Sequence, residues 1–264
     1  GSYLMLYVTG ASGLLGRKVI ERSGDLAIKA ISYRDFVPDV FDSHQSSCLL
    51  HMGWSSKPGI KDEDILNRDV KTSEILFNQY LSKNPKGKII FTSTAGDMYT
   101  DNHPCISTES NVPSPRTRYG ECKLQTECIL ERLNCKSVVL RISNIWGGNP
   151  DSKRQNGLVD KLIRVVNTDE EVQLSVNLSS HIDLIHVDDL VTLIYKIVNN
   201  VSMEHRMFLV GGQSICIWDI IDIVSRKGYL KLKVDQRDKE PTFISIDSSK
   251  VKSAFDWEIR NYLK

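Results

Sequence analysis

What this chain lacks narrows the field before any motif is found. Its six cysteines (Cys48, Cys105, Cys122, Cys128, Cys135 and Cys216) include no C-x-x-C pair, and its histidines do not cluster. No zinc or other metal site is expected from that spacing, and reduced thiols in a cytoplasmic protein are its plain reading. An excess of one charge is missing too. The 34 Lys and Arg balance 33 Asp and Glu to a net +1, which gives no electrostatic footprint for nucleic acid or an anionic membrane. No apolar run approaches the roughly 18 residues of a membrane span. The N-terminus carries no basic-then-apolar signal segment, and neither internal repeats nor low-complexity stretches occur. What remains is 264 residues, 41% hydrophobic and 25% charged, ordinary for a globular chain and long enough for one large domain or one and a half.

Two stretches carry chemistry. The first is Thr9-Gly10-Ala11-Ser12-Gly13-Leu14-Leu15-Gly16, which follows the short apolar run Leu4-Met5-Leu6-Tyr7-Val8 and opens a segment of helical spacing. Strand, glycine-rich turn and helix in that order give the motif its meaning. Gly10 permits the tight turn, Gly13 lets a pyrophosphate approach the backbone, and Gly16 lets the helix pack on the strand. The unpaired N–H groups of that helix would attract the phosphates. The second stretch is Tyr119-Gly120-Glu121-Cys122-Lys123, read with Thr92-Ser93-Thr94 upstream. A helix over 121–132 puts Tyr119 and Lys123 one turn apart on one face. A lysine ammonium beside a phenol favours the phenolate and lowers a pKa that is otherwise near ~10. A hydroxyl from Ser93 or Thr94 would bond the oxygen that gains or loses the proton. Such a trio suits proton transfer at a carbinol or carbonyl beside a nicotinamide. Cys122, next to the pair, reads as a small residue packed on the helix.

The remaining segments arrange these two. A second strand over 27–32 ends in Ser32-Tyr33-Arg34 where an acidic residue would bind the ribose of NAD; a small hydroxyl followed by arginine suits the 2′-phosphate of NADP. Asp35, one residue on, keeps NAD as the alternative. Residues 36–47 are short for a full strand–helix unit. Cys48-Leu49-Leu50-His51-Met52 is the next strand, running into Gly53-Trp54-Ser55-Ser56, and His51 reads as packed, with nothing nearby to orient it. An amphipathic helix is expected over 64–81, a strand at 88–91, a Pro/Ser-rich loop over 101–115 and a buried strand at 137–140. After Gly147-Gly148-Asn149-Pro150 the rhythm changes. Helix is expected over 157–166, extended chain over 172–176, a helix opened by residues 183–189 and capped by Asp188, a strand at 208–210, and a helix over 217–224. The alternation predicts an α/β fold: a Rossmann-type doubly wound parallel sheet with a small interleaved C-terminal substrate lobe. Residues 1–150, with 183–212 returning, would form the dinucleotide-binding domain, and 151–182 with 213–264 the lobe.

Taken together these motifs resemble the extended short-chain dehydrogenase/reductases that act as nucleotide-sugar epimerases, dehydratases and reductases. The likeness runs from Leu4 to about Trp257. It rests on Thr9-Gly10-x-x-Gly13-x-x-Gly16, Leu49-Leu50-His51-Met52-Gly53, the run from Phe91 through Ser93-Thr94 to Tyr99, Pro115-x-x-x-Tyr119-x-x-x-Lys123-x-x-x-Glu127, Leu140-Arg141-x-x-Asn144-x-Trp146-Gly147 and Ile185-His186-Val187-Asp188-Asp189. The resemblance implies Tyr119 as acid/base, with Lys123 lowering its pKa and binding the nicotinamide ribose. It makes Thr94 the donor to the substrate oxygen, with Ser93 beside it, and Tyr99 and Asn144 neighbours of a sugar nucleotide. Dinucleotide contacts would come from Gly10, Ser12, Gly13, Leu14, Leu15, Gly16, Ser32, Arg34, Met52 and Gly53. A homodimer through the Tyr119 helix is implied as well, with Leu124, Ile129 and Leu130 apolar on or near it.

The departures are as informative. Ala95-Gly96 stand where the family's dehydratases carry Asp-Glu, so elimination of water is not expected. Asp69 replaces the asparagine of the family's Asn-Val-x-Gly-Thr helix, and residues 36–47 lack the Gly-Asp segment that flanks adenine. The expected activity is hydride transfer at a hexose carbon, C4 above others: a 4-keto reductase using NADPH, with a 4-epimerase as the alternative and a non-catalytic dinucleotide-binding sensor or scaffold as the reading from another class.

Overall fold

The structure, a computed structural model, describes residues 4–32, 40–56, 59–99, 106–149, 157–200, 204–236 and 239–264. Arg34 and Asp35, on which the expected cofactor preference rests, lie outside the described residues.

Strand β1 (Met5–Thr9) leads into helix α1 (Leu14–Glu21), β2 (Ala27–Ile31), β3 (Ser47–His51), α2 (Glu63–Lys83), β4 (Lys88–Thr94), α3 (Arg118–Arg132) and β5 (Lys136–Ile142). With β9 (Arg206–Val210) the strands form one six-stranded sheet in the order β2-β1-β3-β4-β5-β9. The pairs β1/β2, β1/β3 and β3/β4 are parallel. β3 and β4 are near-continuous buried runs, the pattern of parallel strands covered on both faces. The order reverses at β1, which has β2 on one side and β3 on the other. In doubly wound sheets ligands bind at that reversal, outside the strands' carboxyl ends. Thr9 and His51 are paired in register there, so the loops that leave them start side by side.

Helix α2 starts where Asp62 accepts hydrogen bonds from the N–H groups of Asp64 and Ile65 and ends before Asn84-Pro85. It buries Leu66, Asp69, Val70, Ser73, Leu76, Phe77 and Tyr80, the stripe of an amphipathic helix. Leu76, Phe77 and Tyr80 join Tyr7, Leu49, Ile89, Phe91, Leu130 and Val139 in one core cluster. Leu130 is therefore interior and Ile129 packs against the same cluster, leaving half-buried Leu124 as the outer apolar position of the three. Lys88, buried at the start of β4, donates to the carbonyls of Ile197, Val198 and Asn200, a cation closing the C-terminal end of α5 (Val187–Val198).

The chain divides into two compact units: 1–100, 112–141 and 191–208, and 101–111, 142–190 and 209–264. The boundaries expected were 150 and 183–212. Residues 142–149 and 183–190 fall in the second unit because β6 (Asn144–Trp146) pairs with β8 (His181–His186), and β8 with β10 (Gln213–Cys216), in a separate three-stranded sheet. The second unit also holds α4 (Leu158–Val165), the pair β7 (Glu171–Leu174) and β11 (Lys231–Val234), α6 (Ile217–Ser225) and α7 (Ser249–Phe255), around a cluster that includes Leu162, Val172, Leu184, Ile220 and Val224. Two local expectations are corrected here. Residues 183–186 form the end of a strand, not the opening of a helix, and the group capping α5 is not Asp188 but His186, whose Nδ1 accepts from the Asp188 N–H at 3.0 Å.

Three glycines in one turn and the loop that faces it have no room for a side chain. A Cβ on Gly10 would meet Gly53 N at 2.8 Å, and one on Gly53 would meet Gly10 N at 2.6 Å. A Cβ on Gly16 would overlap the Gly10 carbonyl oxygen and Ala11 Cα. Gly13 has room, its nearest neighbour being the Gly10 carbonyl at 3.4 Å. Gly16→Ala is expected to lose about 1–3 kcal/mol of stability and Gly13→Ala much less, measured by chemical denaturation.

Candidate active site

The glycine turn leads into a helix start that no side chain caps. Gly10 sits at φ +75° and its carbonyl accepts from Gly13 N at 3.1 Å. Helix α1 begins at Gly13 with no side-chain cap and no acidic residue in its first turn. Its N–H groups and positive dipole end therefore carry no competing negative charge from the chain.

Beside this turn a buried relay fixes the β3 loop. The Thr9 hydroxyl accepts from Met52 N at 3.0 Å and Gly53 N at 2.9 Å and lies 2.7 Å from His51 Nδ1. His51 Nε2 lies 2.8 Å from Ser73 Oγ, which donates to the Asp69 carbonyl. With both lone pairs of Thr9 occupied, its proton goes to Nδ1; with the Ser73 proton committed, Nε2 must donate. Both ends assign the same neutral tautomer. Burial, helped by the charge of Lys123, pushes the imidazole down to about 3, which agrees. The expectation that nothing orients His51 is thus overturned.

The Asp69 carboxylate, 1% exposed, accepts from Ser55 N at 2.9 Å, from Ser56 N at 2.8 Å and from the Ser56 hydroxyl. These bonds spend it on holding the loop that leaves β3.

Lys123 and Tyr119 share one face of α3, as the spacing required, and both are buried. Lys123 Nζ donates to the Thr92 carbonyl at 3.0 Å. Its other neighbours are aromatic, with ring centroids at 4.2 Å (Trp54), 4.9 Å (Phe91) and 5.6 Å (Tyr119). Burial pushes this lysine down to about 7, against the opposing pull of Asp69 and Glu127. Glu127, one turn further along, is paired with Arg141 Nε at 2.9 Å, and Arg141 Nη1 donates to the Tyr99 hydroxyl at 2.7 Å.

The phenol differs from expectation. Burial raises the Tyr119 pKa, and the charges of Asp97 and Asp69 raise it further. A lysine that is itself half-neutral near pH 7 and bonded to a carbonyl does not offset that desolvation. The protein's own groups therefore hold Tyr119 as a neutral acid.

Asp97 joins the two halves of the trio. Its carboxylate accepts from Thr94 Oγ1 at 3.3 Å and from Thr117 Oγ1 at 3.0 Å, while Thr117 caps α3 by accepting from Gly120 N. Gly120 has no space for a Cβ, which would meet the Asp97 carbonyl at 2.7 Å. The helix start that carries Tyr119 is thereby docked on the turn that follows Thr94. Ser93 Oγ is buried with no hydrogen-bond partner among the described residues, an unsatisfied donor beside Thr94.

Residues 6–211 match the model of the NAD dependent epimerase/dehydratase family. The chain belongs to that family. It is an NAD(P)-dependent enzyme of the oxidoreductase/epimerase type. Among known members it is similar to the dTDP-4-dehydro-6-deoxyglucose reductase of Escherichia coli, 23% identical over 258 residues that cover 83% of this chain and 80% of that one. The fold matches UDP-glucose 4-epimerase of Thermotoga maritima with a TM-score of 0.84 at 22% identity, covering 98% of this chain and 94% of the other. It also matches RMD of Pseudomonas aeruginosa, solved with NADPH, with a TM-score of 0.78 at 15% identity and the same coverages.

The residues fit the family's dinucleotide. Gly10, Gly13, Gly16, Met52 and Gly53 form a turn and a facing loop that leave no room for side chains at three positions, next to an uncapped helix start. Ser12, Leu14 and Leu15 lie on that turn and the first residues of α1, and Ser32 is exposed at the end of β2. Of the expected substrate neighbours, Tyr99 is buried in the first unit against Arg141, and Asn144 is exposed in the second, where its Nδ2 donates to the Asp183 carbonyl at 3.1 Å. Sequence reading had passed over Asp97, Thr117 and Trp54. A threonine three residues before Gly120 was a legible cap signal; the bond from Thr117 to Asp97 and the partners of Trp54 span long stretches of sequence and left none. Among the described residues no cluster of His, Cys, Asp and Glu could hold a metal, and no helix is long and apolar enough to cross a membrane.

The buried lysine sets a pH test. In the unfolded chain it keeps its proton to about 10.5, in the folded chain to about 7. Between those values the unfolded state binds more protons, so this residue's contribution to stability rises with pH across that window, and the cost of its buried charge is fully present below it. Lys123→Met is expected to gain stability over the unaltered protein by a few kcal/mol more at pH 6 than at pH 10, read from denaturation midpoints at both.

Proposed function

We propose that this member of the family is a nucleotide-sugar 4-keto reductase that takes its hydride from NADPH. The observation that carries the reading is the Tyr119–Lys123 pair buried on one face of α3, which offers a protonated phenol as the proton donor. Reducing a ketone needs a proton delivered to its oxygen, and a neutral phenol supplies it without prior loss. An epimerase would use the same phenol first as a base and then as an acid, so other features favour the reductase. The likeness to the Escherichia coli 4-keto-sugar reductase supports the same choice. The reductase reading also fits Ala95-Gly96, which offer no carboxylate to eliminate water.

In this reading the turn at Gly10–Gly16, with Ser12, Leu14 and Leu15, holds the pyrophosphate, Ser32 and Arg34 the 2′-phosphate, and Met52, Gly53 and Lys123 the nicotinamide ribose. Bound NADPH supplies the hydride. The Tyr119 hydroxyl gives its proton to the C4 oxygen. The Thr94 hydroxyl, whose one proton lies toward Asp97 at 3.3 Å in the free site, turns that proton to the C4 oxygen as charge gathers on it, and Ser93, with its hydroxyl otherwise unpaired, is the second donor. Tyr99, and Asn144 in the second unit, are the proposed contacts of the sugar nucleotide. A cytoplasmic homodimer through α3 is the proposed setting.

The assay is NADPH oxidation with dTDP-4-dehydro-6-deoxyglucose and with its UDP- and GDP-linked counterparts. Stoichiometric loss of NADPH with one of them is expected. Interconversion of 4-hydroxy sugars with no net loss of NADPH would instead establish an epimerase. Tyr119→Phe should lower kcat by about 10²–10⁴-fold and Thr94→Val by roughly 10²-fold. Arg34→Ala should raise the KM for NADPH and leave that for NADH unchanged; equal effects on both would remove the reason for preferring NADPH.

A further inference from the structure

We propose that Trp54 is a positioning residue for Lys123: its indole face clamps the ammonium against Phe91 and Tyr119, and Asp69 pins the loop that carries it. The inference deepens the reading of Tyr119 and Lys123 given above and rests on it.

Of the three rings around Lys123 Nζ, the indole is nearest, at 4.2 Å. The other two are fixed by regular structure, Phe91 in β4 and Tyr119 in α3. Trp54 alone comes from a loop, so it is the ring whose place has to be secured by side chains. It is secured on both flanks. Before it, Met52 N and Gly53 N donate to Thr9 Oγ1; after it, Ser55 N, Ser56 N and Ser56 Oγ donate to the Asp69 carboxylate. Of the five residues from Met52 to Ser56, all but Trp54 have their backbone N–H held by one of two buried side chains.

The orientation of the ring points the same way. Buried indole N–H groups ordinarily find an acceptor, yet Trp54 Nε1 is buried with no partner among the described residues. The ring is set by what its face and edge touch: Lys123 over the face, Tyr119 edge-on with centroids 6.0 Å apart and Phe91 at 6.3 Å. An ammonium with a single hydrogen bond, to the Thr92 carbonyl, loses most of its hydration on burial, and an indole face is the strongest aromatic substitute. The charged and titratable groups facing Lys123 are Asp69 of α2, Tyr119 and Glu127 of α3 and His51 of β3. The two carboxylates favour its charged form, and His51, held neutral, adds no opposing charge.

The test separates the charge on the ring face from its shape. The full chain is produced with its four tryptophans replaced by monofluoro- and then by difluorotryptophan, which weakens the face potential with little change of size. The other three, Trp146, Trp218 and Trp257, all belong to the second unit. The titration of Lys123 is followed by NMR of isotope-labelled lysine Cε, assigned by the signal missing from Lys123→Met. The midpoint is expected to fall stepwise with fluorine, by roughly 0.3–1 pH unit in all. A midpoint that stays put through the series overturns the proposal. Asp69→Asn, which unpins the loop and removes a negative charge, should lower the midpoint further, and an unchanged midpoint there rejects the part assigned to Asp69. Because the titration needs no substrate, failure of every 4-keto sugar to react would count against the reductase reading and not against this one.

Discussion

The site is organised around one unfavourable fact: a lysine side chain lies buried, with its nitrogen hydrogen-bonded to one carbonyl and otherwise facing aromatic carbon. A charge there costs heavily unless something replaces the water it has lost. The replacements come from four separate parts of the first unit: the Thr92 carbonyl of β4, the Trp54 ring of the β3 loop, the Asp69 carboxylate of α2 and Glu127 of α3 itself. Each of these has its own support. Arg141 holds Glu127, the Ser55–Ser56 backbone holds Asp69, and Asp69 with Thr9 holds the loop of Trp54. The result is an amine poised between charged and neutral near pH 7, next to a phenol that the same burial keeps protonated.

The point where the sheet reverses adds a second constraint. Two strands that are neighbours in space but far apart in sequence end side by side, and their loops approach so closely that Gly10 and Gly53 exclude each other's side chains. The Thr9 hydroxyl and the neutral His51 bind that junction from within, and Ser73 carries the network on to α2. The Gly10–Gly16 turn and the loop that presses on Lys123 are therefore one bonded assembly. Displacement of either would be felt at the other through Thr9.

Much of the fold was legible because parallel strands and amphipathic helices leave periodic marks. The helix at 63–83 and the one carrying Tyr119 and Lys123 lie where spacing put them, within a few residues at their ends. Reading failed where two short elements meet without a turn residue between them. Residues 181–198 run from strand directly into helix, and 213–225 do the same, so apolar periodicity there does not say where one stops. The missed cap follows from the same gap: a histidine that is the last residue of a strand does not look like a helix start.

The residues of the site were legible for a different reason. Tyr119 and Lys123 stand four apart on one helix, and Gly10, Gly13 and Gly16 in one turn, so local geometry alone brings each set together. The sequence by itself thus determined that a tight glycine turn and a tyrosine–lysine pair on one helix face exist, because both are made within a single turn of chain. Only the tertiary structure decided what state that pair is in. Burial is a property of the whole packed unit, and it reversed the expected direction of the Tyr119 pKa. The partners that matter most to it, Trp54, Asp69 and Asp97, reach α3 across distances in sequence that no local pattern records.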